Sequence, residues 1–491
     1  MSEASTPVPV ENRSVADASD KTIDASLRLP TLFFTAAAIF WLIKASGWAL
    51  INALQTTNLA FLASFEWLTF GRMSAAAQTG FLYGWCMNAA FIVSLWIMSR
   101  LSRTPVASSG LLIIGGIFWN VAVFASIVGI FLRGDVGSGI WLRMPDYCIP
   151  IFLGSYLMIG AWGVYAFGKS KTYTYASQWY ILGALFCLPW LLTVATFMIG
   201  LQPTTGVVQA ITSTWYAGNI ATLVLAPIAI ATAYYMLPKL LNRPVTGYYM
   251  SVIGFWSLVV FGAWIGPSLL TGSPVPIWVQ AMGTISCMLV LIPVIIISFN
   301  LHRTIGGDYG RVFGHPELRF VAFGLLMFTA LGVVTLLTGL RGFSAVTQFT
   351  LFQSGFGYHM VYAFFSMIMF GALYYLVPRV LGEQWPTSTM AKAQFMGGAV
   401  ASILGVLALY YAGWQQGNMA AAVDADGAAL YSWSAIANAS KPLLLGKTLA
   451  ILVASIGHVA FGINFVLLAF NYLRKQAIAA ELLPTATAQE A

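Results

Sequence analysis

The chain has 491 residues, of which 59% are hydrophobic and only 8% are Asp, Glu, Lys or Arg, with a formal charge of +8. Soluble proteins carry about 25% charge, so a water-facing surface cannot be built from this supply. A soluble enzyme, a disordered chain and a disulfide-stapled secreted domain are excluded, which leaves a polytopic membrane protein.

Residues 1–29, rich in Ser, Thr, Asp and Pro, predict a disordered cytoplasmic tail. Over residues 30–475, apolar runs of about 20 residues recur, each long enough to cross roughly 30 Å of hydrocarbon. Twelve of them are centred near residues 43, 87, 120, 158, 190, 226, 259, 289, 328, 363, 402 and 460, and residues 476–491 make a second cytoplasmic tail. Backbone polar groups in lipid must be satisfied within the segment, so the expected fold is all-α, a bundle of twelve transmembrane helices.

With the N-terminus inside, 16 of the 23 Lys and Arg fall on the cytoplasmic side, 6 on the opposite side, and Lys44 lies within the first helix. That bias predicts both termini in the cytoplasm. The cations are scattered among short loops without a basic patch, which argues against nucleic acid. The longest outer loop, about residues 416–445, carries Asp424, Asp426 and Trp433 and offers a surface to an external partner. The four cysteines stand in or beside apolar runs without paired spacing, as small buried hydrophobes do.

Ionisable groups inside a membrane are costly and mark function. No carboxylate falls in a helix core, which weighs against an ion-coupled transporter. Lys44 is either a buried functional cation or a side chain extending its stem to the interface. His359 and His458 are mid-membrane imidazoles that could ligate haem iron or hydrogen-bond a neighbouring helix. His302 and His315 are expected in a solvated cytoplasmic loop.

Several motifs have a counterpart elsewhere. Trp215-Tyr216-Ala217-Gly218-Asn219 precedes Tyr234-Tyr235-Met236-Leu237-Pro238-Lys239 and Arg243-Pro244. Phe255-Trp256, Trp264-Ile265-Gly266-Pro267 and Gly371-Ala372-Leu373-Tyr374-Tyr375-Leu376-Val377-Pro378-Arg379 follow, and Phe70-Gly71-Arg72-Met73 opens the second helix. Together they resemble the catalytic subunit I of haem–copper oxidases, specifically the cbb-type (C-family) cytochrome c oxidases, over nearly the whole membrane region.

The resemblance implies a low-spin haem, a high-spin haem and a copper ion, held by about six imidazoles; the whole chain has four histidines. The family's second helix places a haem-ligating His five residues after its Arg; that place here is Ala77. Its sixth-helix copper ligand corresponds to Gly218. Two further copper ligands after Gly-Pro correspond to Ser268 and Leu269, and its cross-linked Tyr to Gly262. Counted back without gaps from Gly371, the tenth-helix haem ligands correspond to Phe356 and Tyr358, with His359 one residue away. A one-residue shift turns a helical side chain by about 100°.

The residues present therefore predict no catalytic residue, no metal site and no cofactor; His359 and Tyr358 are the two candidates for holding a haem. The bulky replacements Leu269, Phe356 and Tyr358 are expected to fill part of the vacated haem volume. The reading is a non-catalytic structural or assembly subunit of a respiratory electron-transfer complex in the bacterial inner membrane. Its partners would be membrane lipids and a membrane-anchored cytochrome c subunit or other complex subunits. The alternatives are an active terminal oxidase or nitric oxide reductase with unusual ligands, and a transporter or channel on the same scaffold.

Overall fold

The computed structural model describes residues 10–487 except 59, 63, 138, 171–173, 202 and 203, with side chains described over 20–478. Twelve helices among these residues are long and apolar enough to span a membrane. They are α1 (Asp20–Thr57), α2 (Phe70–Leu101), α3 (Ser109–Arg133), α4 (Asp146–Gly168), α5 (Ala176–Leu201) and α6 (Gly206–Leu241). The second half comprises α7 (Met250–Leu270), α8 (Ile277–Ile305), α9 (Pro316–Gly339), α10 (Leu351–Leu381), α11 (Ser388–Ala421) and α12 (Trp433–Ile478). The expected all-α, twelve-helix bundle is the fold.

Three helices are central. The apolar stretches of α2, α6 and α10 are 94% buried, against 39–50% for the other nine. Around them the neighbours run α1, α3, α4, α5, α7, α8, α9, α11 and α12, with α12 packing back onto α1. Each central helix is interrupted by a π-helical segment: Gly80–Cys86, Ile220–Leu225 and His359–Ser366. Such segments concentrate at functional sites because they re-aim side chains and free a backbone carbonyl.

Helix association in lipid relies on small residues and interhelical hydrogen bonds. Gly84 of α2 lets Trp41 of α1 lie against its backbone; a Cβ there would come 2.4 Å from the indole. The Trp41 Nε1 donates to Asn120 Oδ1 on α3 at 2.8 Å, and Asn120 Nδ2 donates to Asn88 Oδ1 on α2 at 3.0 Å. One polar chain thus fastens three helices.

The central helices converge near the face that carries the termini. Each ends in an aromatic ring with a cation four residues on, over its face: Trp96 with Arg100 at 5.7 Å, Tyr235 with Lys239 at 5.1 Å, Tyr375 with Arg379 at 4.1 Å. Trp96 meets both tyrosines edge-on, at 5.3 and 5.8 Å between ring centres. The three cations also lie where helix C-terminal carbonyls accumulate partial negative charge.

Arg100 explains a departure from expectation. Residues 1–29 do not all form a disordered tail: α1 is already helical at Asp20, with Ile23 and Leu27 buried. Asp20 and Asp24 meet the Arg100 guanidinium at 2.8 and 3.2 Å, and Trp96 Nε1 donates to Asp24 at 3.0 Å. These pairings hold a polar first turn that composition alone reads as tail. Residues 1–9, and Lys171 among the cations counted above, lie outside the described residues. Arg100 has a side chain only 8% exposed, so Arg100→Ala should leave Asp24 with only its Trp96 bond and cost about 1–3 kcal/mol, read as a lower midpoint of thermal unfolding in detergent.

His302 differs from its expected place, and Lys44 is not a buried cation. His302 is not in a solvated loop but within α8, its Nε2 3.1 Å from the Thr329 hydroxyl. Lys44 is exposed on the bundle perimeter beside Phe40.

Candidate functional site

Two apolar cavities open between the central helices and their neighbours, in the half of the bundle away from the termini. The first, of about 480 Å³, lies among α6 to α10 and is lined in part by Gly218, Thr222, Ser268, Leu269, Phe356 and Gln353. The second, of about 440 Å³, lies among α1, α2, α10, α11 and α12 and is lined in part by Ala77, Gln78, Tyr358, Tyr362, Lys447 and His458. Ile140 and Trp141, from the segment between α3 and α4, line both. The Trp141 carbonyl accepts from the Tyr83 hydroxyl at 3.0 Å, and Tyr83 and Tyr216 share a hydroxyl–hydroxyl bond of 2.8 Å. That pair ties α2 to α6 beside the cavities.

Six of the seven positions singled out as replaced ligands or cross-link therefore fall on cavity walls, divided four and two. Gly218, Ser268, Leu269 and Phe356 line the first cavity; Ala77 and Tyr358 line the second. The seventh, Gly262, is behind the first wall, where its carbonyl accepts from the Thr222 hydroxyl at 2.9 Å. Phe356 and Tyr358, two residues apart on α10, face different cavities.

His359 faces elsewhere. The π segment of α10 begins at this residue rather than before it, and no turn brings its ring into either cavity. Its Nδ1 is 3.0 Å from the Tyr410 hydroxyl of α11 and its Nε2 2.9 Å from the Met327 carbonyl of α9. His458 does line the second cavity, but its Nδ1 is 2.7 Å from the Ser46 hydroxyl and its Nε2 3.2 Å from the Tyr362 hydroxyl. Tyr358 stacks on Tyr362 at 5.2 Å and donates its hydroxyl proton to the Ala401 carbonyl at 3.2 Å.

The bulky replacements leave about 480 and 440 Å³ open beside them: Leu269 and Phe356 stand on the wall of the first cavity and Tyr358 on that of the second, its hydroxyl bonded to the Ala401 carbonyl of α11. Closure occurs at the small residues. A Cβ on Gly218 would come 2.6 Å from both N and Cα of Gly266, and one on Gly266 would come 2.3 Å from the Thr214 carbonyl oxygen. A Cβ on Gly283 of α8 would come 2.2 Å from the Ser268 amide nitrogen. Around Gly218 and Ser268, backbone lies directly on backbone.

Residues 30–449 match the family described as cytochrome c and quinol oxidase polypeptide I. The chain belongs to that family. Among curated relatives it is 24% identical over 452 residues to the cbb3-type cytochrome c oxidase subunit CcoN1 of Stutzerimonas stutzeri, covering 90% of this chain and 93% of the relative. It is 22% identical to a cytochrome c oxidase subunit 1 homolog of Agrobacterium tumefaciens, over 90% of this chain and 83% of the relative. A solved haem–copper terminal oxidase dimer aligns with a TM-score of 0.60 and 14% identity, over 92% of this chain and 84% of that one. At that identity the likeness is one of fold.

The family implies haem and copper, and the residues here do not fit them. Copper needs several imidazole or thiolate ligands at one point, yet among the described residues no group of three His, Cys, Asp or Glu could hold a metal ion. The place matched to the sixth-helix copper ligand is closed by the Gly218–Gly266 contact. The second cavity has an alanine, Ala77, on one wall and, on the other, a tyrosine, Tyr358, whose proton is committed to a carbonyl. Sequence comparison could name these positions; that one is shut and the others open needed the packing.

Proposed function

We propose that this protein is a metal-free member of its family: a structural or assembly subunit within a respiratory electron-transfer complex of a bacterial inner membrane. The observation that carries this reading is the Gly218–Gly266 contact, which leaves no room for any side chain at the matched copper-ligand position. The missing imidazoles at Ala77, Ser268, Leu269 and Phe356 support it independently. Relatives that are oxidase subunits favour a multi-subunit setting, with a membrane-anchored cytochrome c subunit as the partner. The excess of Lys and Arg on the terminal side favours cytoplasmic termini.

A second reading, one haem held through Tyr358, draws on the 440 Å³ cavity beside that residue. Tyrosine ligates haem iron in some proteins, although the bond to Ala401 competes for its oxygen.

The test is the reduced-minus-oxidised spectrum and the iron and copper content of the purified full chain. The expected result is no haem band, sub-stoichiometric metal and no oxygen or nitric oxide reduction. Stoichiometric haem and copper with turnover would overturn the proposal. One haem without copper, lost in Tyr358→Phe, would establish the second reading instead.

A further inference from the structure

The second cavity holds a cation with nothing to pair with. Lys447 lies inside α12, not in the outer segment where charge counting puts it, and it lines the cavity wall. No hydrogen bond or ion pair joins it to another described residue, and none of the residues lining the cavity is acidic. A half-buried ammonium among apolar walls without a counter-charge is poorly satisfied, so an entering molecule that brings an anion is favoured at this spot.

The rest of the cavity fixes what kind of anion. The hydroxyl of Thr448, next to Lys447, donates to the Ala53 carbonyl at 3.3 Å, which sets this turn of α12 level with the last turn of α1. The ammonium is therefore near the membrane surface. From there α12 descends to His458, eleven residues on, or roughly 16 Å along a helix. Most of the wall on the way is apolar, with Ala49, Phe81, Val361, Leu409, Ile451 and Ala454, although Ser74, Gln353, Ser354 and Ser455 also line it. At the deep end both nitrogens of His458 are already bonded to Ser46 and Tyr362, so no polar group there calls for a partner. One charged head and one apolar tail satisfy this arrangement; a ring with carbonyls at both ends does not.

We propose that this cavity binds a long-chain carboxylate, its head at Lys447 and its acyl tail directed toward His458. A volume of about 440 Å³ is within the range that takes one small ligand and suits a single chain rather than the two of a phospholipid. The inference rests on the cavity being free of haem, as proposed above.

Oleate titrated into the purified full chain in neutral detergent, followed by native mass spectrometry, tests it. Oleate should bind one per chain, while oleyl alcohol, with the same tail and no charge, should bind about tenfold more weakly. That comparison needs no substitution. Lys447→Met should reduce oleate affinity by a similar factor, Ala77→Trp should block the cavity, and Lys441→Met, on an exposed residue, should change nothing. Equal binding of oleate and oleyl alcohol, or unchanged oleate binding in Lys447→Met, would overturn the proposal and leave Lys447 as a side chain reaching for the interface. So would tighter binding of phosphatidylglycerol or decylubiquinone than of oleate, or no oleate binding by haem-free protein. A haem absorption band would instead refute the metal-free reading on which the inference rests.

Discussion

Any side chain placed at position 218 should break the junction between α6 and α7. A methyl group there meets the nitrogen and Cα of Gly266 at 2.6 Å, and backbone cannot turn aside as a flexible side chain can. The two helices are also clamped around the contact. Asn219 Nδ2 donates to the Ala263 carbonyl at 3.1 Å, and the Thr222 hydroxyl bonds the carbonyls of Gly218 and Gly262, each at 2.9 Å. Gly218→Ala should therefore cost about 1–3 kcal/mol, the usual range for overpacking. Gly218→His should lose the folded peak in size-exclusion chromatography and take up no copper. A well-folded Gly218→His protein that binds copper would show that the junction yields, and would undo the central argument for a metal-free role.

Trp85→Ala should be as damaging for the opposite reason, by emptying the middle of the bundle. Trp85 is fully buried in the π segment of α2, stacked on Phe370 of α10 at 4.7 Å, and its Nε1 donates to Ser366 Oγ at 2.9 Å. Ser366 in turn donates to the Val361 carbonyl at 2.7 Å, within the π segment of α10. Removing the indole leaves a large void and an unanswered hydroxyl, for about 3–5 kcal/mol by analogy with other aromatic truncations. Trp85→Phe keeps most of the ring and should lose only about 1 kcal/mol, for the hydrogen bond. Unfolding midpoints of the two variants in detergent separate the terms. Equal losses would mean that the hydrogen bond, not the volume, holds the two segments together.

The bundle was legible in the sequence because hydropathy measures what lipid demands, and motif counting singled out six residues that stand on the cavity walls. What escaped was everything that depends on partners. Asp20 and Asp24 look like tail until Arg100 is seen between them. Lys447 looks like a loop cation until the length of α12 is known. Gly218 reads as an empty ligand position, whereas its place in space is taken by Gly266. The π segments change hydrogen-bond pattern rather than composition, so no apolar period announces them. That open cavities remain beside Leu269, Phe356 and Tyr358 also escaped, because residue size says nothing of how the helices pack around it.

The aromatic–cation pairs that close the three central helices bear on how kinship is recognised in this family. Trp96 is nineteen residues from Ala77, roughly 28 Å along the helix, and sites so far apart contribute to stability almost independently. The knot of Trp96, Tyr235 and Tyr375 can therefore keep its shape whatever happens at the opposite end of α2, α6 and α10. Two of the motifs that resemble oxidases, the runs from Tyr234 to Lys239 and from Gly371 to Arg379, supply the tyrosines of that knot. It is a signature of how the chain is assembled, and a descendant could keep it intact after its chemistry had gone.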